Sequence, residues 1–516
     1  MQLKRNLSNV GLLSTALCSM IGSGWLFGSM IAAKLAGPAA IISWIIGGVM
    51  IAVIALTFAE LSAMLPVAGG VVRYIHFSHG TFTSFCISWL TWLSCVAVAP
   101  TEVGATLHYI ANIYPSLLVD SGQYQVLSTT GVLVAATMLL AITVINIMAV
   151  KTLGSIITKI GSWKVIVPII AAVSIMLTSF NADNFSMISF APTGLHGILM
   201  AVSSIVIFSF LGFVEAMSLA GEAKNPQKAV PIAIFGSVAI SIFLYTLLQI
   251  AFIGSIQEEM LLSGWHKLGF GGDLGPFAGI ASTLGMSYLA FLIYADAIIS
   301  PVGTGIAFTT TTARINYAMS INKYTPATML KLNKSGIPIN AIIFNFIVGL
   351  LLLLPFPAWE ELIKFQTAAI VLAYGTGPIA LMALRSQAPD KNRPFFLPMH
   401  KTMCFLSLFI TNLILVWTGW QSIWRLMVGL ILGIILLVIY KKMQKQGDEE
   451  LQLQSGWWLL PQCVGLSIFS YLSDFEGTGA IPFGEDFIIV AIFSYIILQL
   501  AYKIKLPQNK AQTLLP

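Results

Sequence analysis

Ile21-Gly22-Ser23-Gly24-Trp25-Leu26-Phe27-Gly28 lies in the middle of the first apolar segment of the chain, which runs from about Val10 to Ala33. That length crosses a bilayer. Yet Gly22, Ser23, Gly24, Gly28 and Ser29 stand where a stable spanning helix wants Leu, Ile and Val. Glycine lets a helix open. An open helix in hydrocarbon leaves N–H and C=O groups unsatisfied unless protein buries them or they line a watery cavity. A broken first helix is therefore a candidate binding site on physical grounds alone.

The rest of the chain supports a membrane reading. Of 516 residues, 57% are hydrophobic and only 9% charged, against about 25% charged in soluble domains. Twelve strong apolar segments reach Tyr440: 10–33, 38–64, 82–113, 127–149, 154–178, 196–220, 230–255, 276–312, 338–356, 362–384, 403–420 and 427–440. Two weaker ones follow near 457–472 and 487–502. No cleavage pattern of a signal peptide precedes the first, so it is expected to stay as a helix. The outer loop 257–276 reads as a mobile or short amphipathic stretch, and Pro389, Pro394 and Pro398 mark a non-helical connection.

The net charge of +6 has a topological explanation rather than a nucleic-acid one. With the N-terminus cytoplasmic, twenty of the 26 Lys and Arg fall inside, from Lys4, Arg5 and Arg73 through Lys151, Lys334, Arg385, Arg393, Lys401 and Lys445 to Lys510. Only Lys34, Lys267, Lys364 and Arg425 fall outside, and Lys159 and Lys164 sit within the fifth segment. This is the positive-inside bias of a multi-pass protein of the cytoplasmic (inner) membrane with both termini inside. The five cysteines show no Cys-x-x-Cys or Cys/His spacing, so neither a metal nor a disulfide framework is expected. No cofactor motif appears, and without G-x-x-x-x-G-K-[ST] an ATP-driven pump is not indicated.

A second interruption, Phe208-Ser209-Phe210-Leu211-Gly212-Phe213, lies in segment six. Five crossings separate the two, so the second unit enters the membrane from the opposite side. That spacing is the mark of an inverted 5+5 repeat with substrate held near the midplane by two discontinuous helices. Each glycine could also serve close helix packing.

These residues resemble the amino acid–polyamine–organocation (APC) superfamily of secondary transporters, which has the LeuT fold. The motifs are Gly22-Ser23-Gly24-Trp25, Ala36-Gly37-Pro38-Ala39, Ala59-Glu60-Leu61 with Leu65-Pro66 and Gly69-Gly70, and Glu222-Ala223-Lys224-Asn225-Pro226 with Val230-Pro231. Ser300–Gly305 and Ala313–Met319 add to them. The stretch Gly22–Gly28 with Ala36–Gly47 is similar to aspartate:proton symporter-like bacterial permeases. The resemblance implies an all-α polytopic protein whose core is residues 1–440. Within it, 10–178 and 196–384 are the two five-helix repeats and 403–440 holds helices 11 and 12. Residues 441–516 add a cytoplasmic loop, two further helices and a tail.

It also implies an amino acid substrate and a site. The α-carboxylate would dock on backbone amides at Gly22, Ser23 and Gly24, favoured by the helix N-terminus there. The α-ammonium would meet carbonyls of Cys18, Ser19, Ile21, Phe208, Ser209 and Leu211, with Phe210 or Phe213 as an aromatic gate. Lys164, a cation inside a spanning helix, is a functional candidate by default. It matches the lysine that takes the place of a sodium ion in sodium-independent relatives, and it could carry the coupled proton. Glu102 and Asp296 are intramembrane carboxylates with the same two readings, proton coupling or structural pairing. An ionised Glu102 at the site would repel an acidic substrate, so Glu102 is protonated, or faces elsewhere, or the substrate is not acidic. Glu215 sits one residue past the family's acidic position, about 100° around the helix. Glu60 is expected to pair with Arg73 or Arg314.

The chain thus reads as a non-enzyme: a proton-coupled amino acid transporter, with an acidic substrate favoured by the branch. An exchanger, a polyamine transporter and a non-transporting amino acid sensor stand as alternatives. The partners implied are the amino acid, protons and the lipid bilayer. Nothing in the sequence sets an oligomeric state.

Overall fold

The computed structural model describes residues 7–67, 69–121, 125–148, 153–269, 275–333, 336–353, 359–444 and 451–516. Lys4, Arg5, Lys151, Lys334 and Lys445 of the charge count lie outside the described residues, as do Gly271 and Gly272 of the outer loop. Among the described residues, eleven continuous helical stretches are long and apolar enough to cross a bilayer, and Asn9–Met20 and Ile339–Leu352 are shorter apolar helices.

In chain order the first half holds α1 (Asn9–Met20), α2 (Ser23–Ala36), α3 (Ala40–Met64), α4 (Val71–His79), α5 (Thr81–Ile110), α6 (Thr129–Met148) and α7 (Leu153–Thr178). The second holds α8 (Gly194–Ala201), α9 (Ile207–Ser209), α10 (Val214–Ser218), α11 (Pro226–Gly254), α12 (Glu258–Leu261), α13 (Pro276–Thr283), α14 (Ser287–Ile321), α15 (Ile339–Leu352), α16 (Trp359–Tyr374) and α17 (Thr376–Gln387). Then come α18 (His400–Trp417), α19 (Trp420–Gln444), α20 (Leu453–Gly456), α21 (Leu459–Leu472), α22 (Glu485–Ile504) and α23 (Gln508–Leu514). A two-stranded hairpin, β1 (Leu118–Asp120) with β2 (Gln125–Leu127), is the sole sheet among the described residues.

Both interruptions are present. Between α1 and α2 the helix opens at Ile21 and Gly22. In segment six, α8 runs through a π turn at Val202–Val206 into α9, and then a 3₁₀ turn at Leu211–Phe213 precedes α10. The span expected over 276–312 is instead two helices. α13 stops at Thr283, Gly285 turns with φ +70°, and α14 continues to Ile321. Gly285 supplies a left-handed turn that a side chain would disfavour.

One side of the molecule collects the ends that the charge count grouped. Lys224 N–H donates to Leu7 O at 2.9 Å, Leu506 N–H to Ser78 O at 3.0 Å, and Lys391 Nζ to Pro516 O at 3.0 Å. Glu60, fully buried at the end of α3, lies on this side but does not meet Arg73 or Arg314. Arg385 at the end of α17 grips it with two bonds, Nε to Oε1 at 2.9 Å and Nη2 to Oε2 at 2.6 Å. Leu397 N–H adds a third at 2.8 Å, and Arg393 Nε lies 3.5 Å away. Arg73 reaches Asn322 Oδ1 instead. A planar guanidinium matches a carboxylate in this two-point geometry, and only the fold brings Arg385 within reach.

Candidate functional site

The site is built where the two breaks touch. A Cβ on Gly212 would lie 2.6 Å from Ser19 O, so the second break packs directly on the backbone of the first. Here glycine is required, because backbone cannot swing aside. The carbonyls freed by each break are held by side chains from neighbouring helices. Tyr245 of α11 places its hydroxyl 2.9 Å from Met20 O and 3.2 Å from Ser209 O, and Tyr374 of α16 donates to Leu211 O at 2.6 Å.

The charged groups follow the dipoles of the broken helix. At the C-terminal, carbonyl-rich end of α1, Lys164 of α7 donates to Cys18 O and to Thr304 Oγ1, both at 2.6 Å. Thr304 Oγ1 itself lies 3.1 Å from Cys18 O. At the N-terminal, amide-rich start of α2, Glu102 of α5 accepts Ser23 N–H at 2.8 Å and Ser23 Oγ at 3.2 Å. A cation at a helix C-terminus and an anion at a helix N-terminus are both favourable, and both residues are buried. Asp296 of α14 is tied by three donors: Trp25 Nε1 at 2.9 Å, Trp163 Nε1 at 2.6 Å and Ser300 Oγ at 2.8 Å. It links α2 to α7 and α14.

A largely enclosed cavity of about 30 Å³ opens at this junction. It is lined by Ser19, Gly22, Gly24, Glu102, Thr304 and Phe208, among others. That volume holds a water or two, so an amino acid needs the lining helices to part. Sequence reasoning missed Ser94 of α5 and Gln366 of α16, which also line it. Ser94 Oγ donates to Gln366 O at 3.0 Å, and Gln366 Nε2 donates to Thr101 Oγ1. Ser19 Oγ and Gln366 Oε1 are buried without a hydrogen-bond partner among the described residues. A polar amide inside a membrane-spanning segment was the available signal for Gln366.

Of the ten proposed substrate contacts, Ser19, Gly22, Gly24, Phe208 and Leu211 line the cavity. Cys18, Ile21, Ser23 and Ser209 stand in the hydrogen-bonded frame around it, with Ile21 O 3.5 Å from Thr304 Oγ1. Phe210 does not line the cavity. It is fully buried against Trp44 and Tyr245, and Phe213 packs on Tyr374. Phe208 faces the cavity instead, with its ring 6.5 Å from Trp359. Of the six carbonyls proposed for an ammonium, those of Cys18, Ile21, Ser209 and Leu211 already have side-chain donors.

The amino acid permease family model matches residues 7–439, which hold both breaks and every residue of this site. The chain belongs to the amino acid permease family. It is 36% identical over 513 residues to the glutamate/serine transporter AimA of Bacillus subtilis, covering 97% of this chain and 94% of that one. It is equally identical over 511 residues to the aspartate-proton symporter of the same organism, covering 98% and 97%. The aromatic amino acid transport protein AroP of Salmonella typhimurium is more distant, at 26% over 459 residues and 84% of this chain. The two Bacillus matches run past the end of the family model, so the similarity takes in α21 and α22. This permease is a multi-pass membrane protein.

Proposed function

We propose that this permease moves an acidic amino acid across the cytoplasmic membrane together with a proton, through a 5+5 inverted repeat with broken helices 1 and 6. In this reading α1–α7 and α8–α17 form the repeats, and α18–α19 and α21–α22 are four further crossings. Both termini face the cytoplasm. Rocking of the helices around the midplane site gives alternating access. The aspartate-proton symporter and the glutamate/serine transporter, similar over nearly the whole chain, support this substrate class.

One observation carries the coupling: the Glu102 carboxylate sits on Ser23 N–H, in the cradle proposed for the substrate's α-carboxylate. Two ionised carboxylates do not share such a cradle. Substrate therefore enters as Glu102 takes a proton and releases Ser23, and the proton travels with it. Of the three alternatives for Glu102, this contact supports protonation on substrate binding. Ser19 and Gln366 line the cavity with unpartnered polar atoms: Gln366 Oε1 can accept from the substrate's ammonium, and the Ser19 hydroxyl can donate to its side-chain carboxylate. The test is uptake of labelled aspartate and glutamate into proteoliposomes with an inward proton gradient and no sodium. Uptake should rise as the outer pH falls. Binding without flux would mark a sensor, and gradient-independent flux an exchanger.

Two histidines of α4 do not confuse that readout. Burial pushes His76 down to about 4, with Arg73 adding to the effect, and burial likewise pushes His79 down to about 4. Both lie on α4, outside the apolar spans, and stay neutral from pH 5 to 8.

Two variants separate the cradle from its frame. In Gly22→Ala, the added Cβ falls 2.5 Å from Glu102 Oε1 and 2.8 Å from Thr304 Oγ1, both side-chain tips that can shift. The protein should fold, and substrate affinity by thermal shift should drop about tenfold, or roughly 1.4 kcal/mol. Unchanged affinity would remove Gly22 from the site. Asp296→Asn keeps one acceptor for the two indole N–H groups. It should slow transport about threefold, the loss of a fraction of one hydrogen bond, with the pH profile intact. A flattened profile would make Asp296 a proton carrier instead.

A further inference from the structure

A second, larger cavity of about 910 Å³ lies away from the helix breaks, among the ends of α17, α18 and α22. Its size falls in the range of about 300–1,000 Å³ typical of ligand sites. Arg385, Arg393, His400 and Lys401 line it, and among the described residues no acidic side chain does. The Glu60 carboxylate behind the wall neutralises one guanidinium. Arg393 and Lys401 remain as excess positive charge, and Lys401 is exposed. Ser386, Thr402 and Gln499 add neutral donors.

The other half of the lining is apolar and aromatic: Phe396, Phe405, Tyr495, Leu498 and Tyr502. Tyr495 is 56% exposed and ends a stripe on α22 of Ile488, Ile492 and Ile496, each more than half exposed. This stripe faces outward from the protein, where an acyl chain would run. Lys505 caps the ring of Tyr502 at 3.8 Å, at the level where aromatic and basic side chains anchor helices to headgroups. The cavity therefore joins a basic, hydrogen-bonding floor to a lipid-facing apolar wall. A soluble anion would use only the first.

We propose that this cavity binds the phosphate headgroup of an anionic phospholipid, with its acyl chain laid along α22. Basic pockets between helices on the side with the positive-charge excess suit such headgroups. The proposal does not depend on what the helix breaks transport.

The test is native mass spectrometry of the full-length protein in mild detergent, with phosphatidylglycerol or phosphatidylcholine added. One phosphatidylglycerol should be retained in preference to phosphatidylcholine. Lys401→Gln should lower its retention about fivefold, and Lys401→Glu further, as expected for one and two charges at a headgroup. Millimolar inorganic phosphate should not displace it. Equal retention of both lipids, or unchanged retention in both variants, overturns the proposal. Displacement by inorganic phosphate would also overturn it, by showing a site for a free anion. Tyr495→Ala keeps the charges and should shorten retention as well; no effect from it would remove the acyl-chain half.

Discussion

Glu102→Gln is expected to lose proton-driven accumulation while still exchanging substrate across the membrane. The glutamine oxygen can accept Ser23 N–H as Glu102 Oε2 does at 2.8 Å, so the start of α2 stays capped. What disappears is the charge. In the parent protein an incoming carboxylate meets an ionised one in the same cradle. At about 4 Å and an effective dielectric of 20 that repulsion is roughly 4 kcal/mol, enough to make protonation of Glu102 a condition of binding. The variant binds without that condition. Its binding should become independent of pH between 5 and 8. Accumulation driven by an imposed pH gradient should fall about a hundredfold, using somewhat more than half of that repulsion energy. Counterflow of labelled against unlabelled substrate should persist. The decisive pair of measurements is gradient-driven uptake and counterflow on the same proteoliposomes. If the variant accumulates substrate with the parent's pH dependence, Glu102 is a helix cap and nothing more.

The features legible in the sequence were those that violate the bilayer's demands. Gly22–Gly24, Phe208–Phe213 and Lys164 stand out because small residues and a buried cation are costly in an apolar helix without a reason, and the structure brings all three to one junction. The residues that complete it were silent for the opposite reason. Tyr245 and Tyr374 look like packing aromatics, and only their tertiary placement shows hydroxyls aimed at Met20 O, Ser209 O and Leu211 O. Which Phe of segment six faces the cavity depends on how the π turn at Val202–Val206 rotates the helix. Each residue turns a helix by about 100°, so an unforeseen π turn redirects every side chain after it. The Glu60–Arg385 pair spans most of the chain, and no local pattern announces it. Gly285 ended a helix inside an apolar run because a positive φ is needed there, which hydropathy does not register.

Lys164→Met should nearly abolish transport without unfolding the protein. Methionine fills the volume of the aliphatic stem and keeps the packing, at a stability cost of about 3–5 kcal/mol for leaving one buried charge without its complement. The loss is local. Lys164 Nζ joins α7 to the open end of α1 at Cys18 O and to α14 at Thr304 Oγ1. Charge-assisted bonds of this kind contribute about 1.5–3 kcal/mol each, so removing both should slow uptake by about two to four orders of magnitude. Lys164→Arg should not rescue it, since the fork of a guanidinium does not fit a point occupied by one ammonium. A lysine that only braced the helices would leave residual uptake with the parent's pH profile, whereas a lysine that senses Glu102 would not. The two charges serve the two ends of one break, Glu102 on the amides of α2 and Lys164 on the carbonyls of α1. Removing either leaves the other charge buried without its complement, and removing both does not. The double variant Glu102→Gln/Lys164→Met should therefore bind substrate more tightly than Lys164→Met alone. A strictly additive double-mutant cycle in binding would mean that the two ends of the break act independently.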